Sequence, residues 1–226
     1  SSYNLESDTG SGEYGDTSSS GFRDPEGLFF KPDGTKMFVN DRAEDAIFEY
    51  SLSTAWDVTT ASYNNKVSTT SVDNQMNHAT WKHDGTRFYT CDSSDIHEWS
   101  LTTAWDVSTA SHLQTHSGVR VGHYLGGLLF NANGTKLISL GYGSPTAFTG
   151  YNLSTAWDLS TISWQGPTSG KYKALTEVGN AFKFVFGNSG TRIYVCDSTG
   201  DSIHEYHLST AYDISTASHD HELDVS

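Results

Sequence analysis

The chain has 226 residues, and its composition argues against a helical protein. Hydrophobic residues make up 35% and charged residues 18%, while aromatic residues reach 13% and glycines number 21. Strands and tight turns use glycine and aromatic residues more than amphipathic helices do. The formal net charge of −14 repels phosphate backbones and anionic lipid surfaces. We therefore expect an all-β protein that binds no nucleic acid and does not insert into membranes.

Along the chain, a strand-like segment at Ser2-Tyr3-Asn4 precedes a glycine- and serine-rich stretch that ends at residue 21. Two phrases then alternate four times. The first phrase is a predicted hairpin, because a residue that tolerates positive φ, followed by glycine, stands between two apolar runs. Its glycines are Gly34, Gly85, Gly134 and Gly190. The second phrase, of the form Leu-Ser-Thr-Ala-Trp-Asp-Val-Thr-Thr-Ala-Ser, is centred on Trp56, Trp105, Trp157 and Tyr212.

Each repeat also contains a third apolar run, such as residues 47–52, and the start of a fourth near Ser62. Four short strands in roughly 50 residues are typical of a propeller blade. We predict an all-β, four-bladed β-propeller in which each blade is a four-stranded antiparallel sheet. The prediction is a single domain over residues 1–226, with blades near 22–70, 71–119, 120–176 and 177–226.

The two phrases resemble known propeller repeats. The Pro-Asp-Gly-Thr-Lys hairpin at residues 32–36, followed by an aromatic strand, is similar to the repeats of YVTN, NHL and lactonase-type propellers. The Trp-centred phrase most resembles the LSTAWDVSTAS repeats of phage-tail and marine bacterial surface proteins. The resemblance implies a recognition module that is extracellular, on a cell surface or on a virion, although one fold hosts many functions.

Two connections differ in length between the copies: the turn after strand two and the crossing to the next blade. Both emerge on one face of an antiparallel blade, and variable loops on a rigid scaffold commonly carry recognition. We therefore expect this face to bind a glycan or a cell-surface receptor, as in an adhesion protein. The candidate ligand-binding residues are Asp24, Glu26, Gln75, Asn77, His78, His123, Tyr124, Tyr142, Asn180 and Lys183.

Catalysis is the first alternative. No Gly-x-Ser-x-Gly or His-Glu-x-x-His motif is present, so no catalytic residue is assigned and binding is favoured. The lactonase resemblance implies one divalent ion at the channel mouth of a lactonase- or esterase-like hydrolase. Glu26, Asn77 and Asn180 match that ligand set, and calcium prefers such oxygen ligands. Blade three departs from the pattern with Tyr124 and Gly126, and no other cofactor is expected.

Other repeated residues have structural interpretations. The Trp-type rings are expected to fill the gaps between adjacent sheets. The aspartates that follow them, Asp57, Asp106, Asp158 and Asp213, are expected to form Asx turns. His97 and His204 are interpreted as packing residues, and Cys91 and Cys196 as thiols without a shared disulfide.

Self-assembly is the second alternative. Five segments resemble the start of strand four, among them Ser2-Tyr3-Asn4 and Ser218-His219-Asp220 at the two ends of the sequence. Four blades need only four such strands. The spare strand could add to an exposed blade edge of a second copy and produce a homo-oligomeric structural protein.

Overall fold

A computed structural model describes residues 23–73, 75–117, 124–163 and 172–226. Its strands form four antiparallel sheets, and each sheet is built from strands that follow one another in the sequence. The fold class is therefore the predicted four-bladed β-propeller, with one antiparallel sheet of four strand positions per blade.

The strands alternate with tight turns at the positions that the repeats predict. Blade one contains β1 (Pro25–Phe30), β2 (Lys36–Asp41), β3 (Ala46–Leu52) and β4 (Ala61–Ser68). Blade two contains β5 (His78–Trp81), β6 (Arg87–Cys91), β7 (Ile96–Leu101) and β8 (Ala110–His116). Blade three contains β9 (Tyr124–Phe130), β10 (Lys136–Tyr142), β11 (Ala147–Leu153), β12 (Ile162–Ser163) and β13 (Tyr172–Ala174). Blade four contains β14 (Ala181–Gly187), β15 (Arg192–Asp197), β16 (Ser202–Leu208) and β17 (Ala217–Asp224).

The outer strands of blades three and four differ from the regular pattern. In blade three, β12 and β13 both pair with β11 and share the outer position. In blade four, β17 pairs with β16 along its length, so the C-terminal segment supplies the outer strand. The spare strand predicted at Ser2-Tyr3-Asn4 lies outside the described residues.

The described chain divides into two compact units. The first extends to Met76 and includes Trp81–Phe88 and Trp99–Leu113, and the second contains Asn77–Thr80, Tyr89–Glu98 and Gln114–Ser226. In the first unit the rings of Phe29, Phe38, Trp81 and Trp105 pack together. The core of the second unit includes Leu128, Leu137, Phe148, Tyr151, Phe184 and Tyr206. In the part of the chain described, no helix has the length and apolar character needed to cross a bilayer.

In each blade the hairpin glycine lies against the aromatic ring of the second phrase, and a backbone hydrogen bond joins the two residues. Gly134 has a φ of +72°, and a Cβ atom there would lie 2.2 Å from the Trp157 ring. The backbone N–H of Trp157 donates to the Gly134 carbonyl at 2.9 Å. The same contacts recur at Gly34 with Trp56, Gly85 with Trp105, and Gly190 with Tyr212.

These rings fill gaps between sheets in some copies only. Trp105 stacks on Phe29 of blade one with ring centroids 6.0 Å apart, and it is 8% exposed. Trp157 is similarly buried, whereas Trp56 is 57% exposed. The gap-filling interpretation therefore describes Trp105 and Trp157 but not Trp56, whose exposed ring packs against Phe30 of its own blade.

The predicted Asx turns are present in all four copies. Each aspartate after the aromatic ring accepts a hydrogen bond from the backbone N–H two residues later, at 2.9–3.1 Å. A short 3₁₀ turn follows in each case: Val58–Thr60, Val107–Thr109, Leu159–Thr161 and Ile214–Thr216. The fifth 3₁₀ turn described, Asn188–Gly190, forms the hairpin of blade four.

Candidate functional site

The aspartates at the ends of the second strands organise the loops around them. Asp197 accepts backbone hydrogen bonds from Gly179 at 2.7 Å, Asn180 at 3.1 Å and Thr199 at 2.9 Å. Burial alone would raise the pKa of Asp197, but these N–H groups outweigh it and lower the pKa to about 2. Asp41 organises the corresponding loop of blade one, where it accepts hydrogen bonds from the backbone N–H groups of Asp24 and Glu44.

Blade three has glycine at this position and an aromatic residue after it. Gly141 replaces the aspartate, and Tyr142 follows it at the end of β10. The Tyr142 ring stacks on Tyr124 with centroids 5.5 Å apart, and it contacts Phe182 with centroids 4.4 Å apart. Tyr124 is 50% exposed and Phe182 is 36% exposed. We call Tyr124, Tyr142 and Phe182 the aromatic cluster.

Backbone geometry explains why these three rings meet. Tyr142 and Tyr124 are direct partners across the β9–β10 pair, after a register shift between Leu140 and Gly141. Gly126 allows β14 to approach, since a Cβ atom there would lie 3.1 Å from Phe182 backbone atoms and from the Tyr142 ring. A side chain at position 126 would therefore push Phe182 and Tyr142 away. The cluster depends on this glycine.

Lys183, next to Phe182 on β14, holds neighbouring strands together. Its ammonium donates to the Asn77 carbonyl at 2.7 Å and to the Gly126 carbonyl at 3.2 Å. The Asn77 side-chain amide in turn donates to the Leu125 carbonyl at 2.8 Å. The structure thus brings Asn77, Lys183, Tyr124 and Tyr142 of the predicted ligand-binding set to adjacent strands of the second unit.

His78 lies beside the same strands and is held in its neutral form. Its Nδ1 atom accepts a hydrogen bond from the Leu128 N–H at 3.2 Å. Desolvation, with a smaller contribution from the Lys183 charge, lowers the pKa of His78 to about 3. The neutral His78 imidazole therefore helps to hold β9 in place through the Leu128 N–H.

The remaining predicted site residues are distributed over both units. Asp24, Glu26 and Gln75 belong to the first unit, where the Gln75 N–H donates to Asp73 at 3.3 Å. Asn180 lies in the second unit, and its carbonyl accepts from the Ser198 N–H at 2.9 Å. His123 lies outside the described residues.

The calcium set of Glu26, Asn77 and Asn180 remains a prediction. Asn77 is 8% exposed. Because its amide nitrogen is engaged with Leu125, the atom it could offer a cation is Oδ1. Carboxylate and amide oxygens of this kind fit calcium chemically.

The histidines that recur in blades two and four are buried and hydrogen-bonded to hydroxyl groups. His97 and His204 are 2% and 1% exposed. The His97 Nδ1 atom lies 2.9 Å from the Thr115 hydroxyl, and the His204 Nε2 atom lies 3.0 Å from the Ser202 hydroxyl. Both cysteines are free thiols, with Cys91 buried and Cys196 exposed.

The repeats predict that Phe182 and Gly126 lie with the other residues at the channel mouth, but Phe182 is not among the candidate ligand-binding residues and the close approach at Gly126 was not predicted. The signal for Phe182 was its position four residues before Phe186, which aligns it with Gly126 in blade three. The signal for Gly126 was a pair of glycines, Gly126 and Gly127, inside a strand. Such glycines often mark the close approach of another backbone.

Comparison with solved structures finds the same fold in lactonase-type propellers. A candidate 6-phosphogluconolactonase from Bacteroides uniformis has a TM-score of 0.61 at 15% identity, over 88% of this chain and 54% of that chain. A second, from Bacteroides fragilis, has a TM-score of 0.64 at 12% identity, over 94% of this chain and 58% of that chain. The periplasmic gluconolactonase of Pseudomonas aeruginosa has a TM-score of 0.58 at 16% identity, over 89% and 54%.

These structures share the β-propeller fold with this chain. Identities of 12–16% show the fold alone. The chain spans 54–58% of the length of these three structures. No protein-family profile and no curated protein sequence matches the chain.

Proposed function

We propose that this propeller is a carbohydrate-binding module whose ligand stacks on the aromatic cluster. The observation that carries the proposal is the exposure of Tyr124 and Phe182 on either side of Tyr142, at the loop end of blades three and four. Sugars present apolar C–H faces to aromatic rings and hydroxyls to nearby polar groups. Exposed apolar patches of this kind mark interaction sites.

The polar surroundings of the cluster support binding more than catalysis. Lys183 is engaged with two carbonyls and His78 is neutral with an occupied Nδ1 atom. A general base needs a free acceptor within reach of its proton, and a nucleophile needs an activating partner. The groups next to the cluster stabilise its strands and so pre-organise the rings.

A glycan array with purified protein tests this proposal. We expect the intact chain to bind a subset of glycans, and Tyr124→Ala or Phe182→Ala to lose that binding by at least about tenfold, which is roughly 1.4 kcal/mol. Val185→Ala is the matched control, because Val185 also lies on β14 and is 57% exposed outside the cluster. Binding that survives both ring substitutions, or no binding to any glycan, contradicts the proposal.

Metal-dependent lactone hydrolysis is a second candidate, favoured by the lactonase names of the structural neighbours. One calcium ion held by Glu26, Asn77 and Asn180 would polarise the lactone carbonyl and activate a water molecule. The test is hydrolysis of δ-gluconolactone with and without added calcium. Calcium-dependent turnover that is lost in Glu26→Gln supports this candidate, and turnover no faster than the uncatalysed rate contradicts it.

We further propose that the protein acts outside the cytoplasm, as an adhesion protein of a cell surface or a virion. A periplasmic gluconolactonase among the neighbours supports a location outside the cytoplasm. The resemblance of the Trp-centred phrase to phage-tail and surface-protein repeats supports the adhesion role. Binding of the purified protein to whole bacterial cells, competed by a glycan from the array, tests it. Cell binding that no such glycan competes contradicts it.

A further inference from the structure

Consecutive blades of this chain pack through the same two faces. Where blade two meets blade one, the Trp105 ring stacks on Phe29, and the Trp105 carbonyl accepts from the Lys36 ammonium at 2.7 Å. Where blade three meets blade two, the Trp157 carbonyl accepts from the Tyr89 hydroxyl at 2.5 Å. Each of these blades therefore covers the blade before it with its aromatic phrase and receives the phrase of the blade after it.

The receiving face of blade four is exposed over the described residues. On β15 every second side chain is buried, whereas Tyr194 is half-buried and Cys196 is exposed. Val185, the partner of Tyr194 across the β14–β15 pair, is 57% exposed. In blade three the residues at the positions of Tyr194 and Cys196 are at most 1% exposed, because they share a core with blade four: Ile138 and Leu140. We call Val185, Tyr194 and Cys196 the receiving face.

The opposite face of blade one is exposed as well. Leu28, Trp56 and Val58 are 51–61% exposed. The residues at the same positions in blade three are at most 9% exposed: Leu128, Trp157 and Leu159. We call Leu28, Trp56 and Val58 the covering face. An apolar surface that every later blade buries is thus exposed to water in blade one.

We propose that the receiving face of blade four binds the covering face of blade one in a second copy of this chain. Both halves of a contact that the chain already makes between consecutive blades are present on one molecule, so a second copy supplies the matching half. Tyr194 stands at the repeat position of Tyr89, and its hydroxyl donates to the Trp56 carbonyl of the second copy as Tyr89 does to Trp157. Removal of Trp56, Val58 and Val185 from water drives the association.

The contact joins two unlike faces, so it is heterologous and each copy contributes a different surface. It differs from addition of the spare N-terminal strand, which would use the edge of a blade and not the face of its sheet. Neither face includes a residue of the aromatic cluster. The inference therefore does not depend on carbohydrate binding, and either proposal can fail without the other.

Sedimentation analysis of single-face variants tests the contact. We expect the intact chain to have the mass of two or more copies, and Val58→Asp or Val185→Asp to weaken association by at least about tenfold, because each buries a carboxylate in an apolar contact. Both side chains are exposed within one chain, so folding should be retained, and circular dichroism checks this. Leu113→Asp is the matched control, because Leu113 is 50% exposed on β8 and belongs to neither face.

Mixing the two variants tests whether the contact is heterologous. Val58→Asp retains the receiving face and Val185→Asp retains the covering face, so an equimolar mixture should contain a two-copy species that neither variant forms alone. Deletion of residues 1–8 should leave the mass of the intact chain unchanged. A monomeric intact chain, an assembly that both variants leave unchanged, or a mixture without the two-copy species overturns the proposal.

Cys196 provides a second readout, because it lies on the receiving face and the other thiol, Cys91, is buried. Alkylation of Cys196 by iodoacetamide is expected to be slow in the assembled chain and to lose this protection in Val58→Asp, whose substitution lies on the other face. Equal alkylation rates in the two proteins would place the contact elsewhere and overturn the proposal.

Discussion

At the scale of single residues, glycine decides where the aromatic rings of this propeller lie. Gly34, Gly85, Gly134 and Gly190 adopt positive φ and at the same time make room for a ring. Gly126 makes room for Phe182 and Tyr142. The hairpin glycines were predictable because their dipeptides are turn signals. The role of Gly126 was not, because it depends on a strand of another blade.

Replacing a hairpin glycine should show that the position requires both positive φ and space beside the aromatic ring. Gly134→Ala places a Cβ atom against the Trp157 ring and forces alanine into positive φ, so we expect a loss of about 2–4 kcal/mol in the free energy of unfolding. Urea denaturation measures this loss. In the double variant with Trp157→Ala the clash disappears, so the two losses should sum to more than the double variant shows. A Gly134→Ala protein whose free energy of unfolding is within about 0.5 kcal/mol of that of the intact chain would contradict a stabilising role for this glycine–ring contact.

His78 predicts a pH dependence. Its pKa is about 3 in the folded chain, below the ordinary 6.5, so the unfolded state binds a proton first as the pH falls. Stability from this residue is therefore complete above pH 6.5 and is lost as the pH falls from there towards 3, by about 1–2 kcal/mol between pH 7 and 5. His78→Asn keeps an acceptor for the Leu128 N–H and does not titrate. Urea denaturation at both pH values should show a smaller pH effect in this variant, and equal effects would refute the assignment.

At the scale of elements, the third strand of one blade is joined to the turn that precedes the fourth strand of the next. Glu98 reaches from β7 to the Leu159 N–H and also accepts from the Gln114 amide at 2.6 Å. The repeat length and the strand order could be predicted from the phrases alone. This contact could not, because it joins residues 61 positions apart in sequence.

Removing the Glu98 carboxylate should lower the free energy of unfolding more than removing its counterpart in blade four. Glu98→Ala leaves the buried Leu159 N–H without its acceptor and takes one of two acceptors from the Gln114 amide, and we expect a loss of about 2–4 kcal/mol in the free energy of unfolding, measured by urea denaturation. Glu205→Ala is the matched control. Its side chain is 25% exposed and pairs with Arg192, so its loss should stay below about 1 kcal/mol. Equal losses in the two variants would show that the interblade contact contributes little.

Blade three departs from its neighbours in three places, at Gly126, Gly141 and Gly150. The first two belong to the end of the blade that carries the aromatic cluster, and the third stands where the first two blades have a buried glutamate. Unequal residues on an otherwise regular scaffold are where specific function is expected. Comparison between the copies located Tyr124 and Tyr142, but the contact between Tyr142 and Phe182 became visible only in the structure.

At the scale of the whole molecule, the four-bladed fold was predictable because four copies of one pattern face the same structural demand. The division of the outer strand of blade three into β12 and β13 was not predicted. The grouping of the candidate residues was predictable in part, and their role in binding remains a prediction. Asn77, Tyr124, Tyr142 and Lys183 come together on adjacent strands, whereas the calcium set remains a prediction. Solved lactonase-type propellers share the fold, and this chain spans little more than half of their length.

The spare strand at the N-terminus remains a prediction at this scale. If Ser2-Tyr3-Asn4 adds to a blade edge of a second copy, the protein is a homo-oligomer and deletion of residues 1–8 makes it monomeric. Light scattering of both proteins measures the change in mass. A monomer before and after the deletion would exclude assembly through this strand.

The most direct test of carbohydrate binding is an NMR titration of the best glycan from the array. Protons above an aromatic face experience its ring current, so ring stacking has a signature of its own. We predict upfield shifts of sugar C–H signals in the intact chain, together with shifts of the Tyr124 and Phe182 ring signals, and loss of both in Phe182→Ala. Binding without any change in those ring signals would place the ligand elsewhere and contradict the proposal.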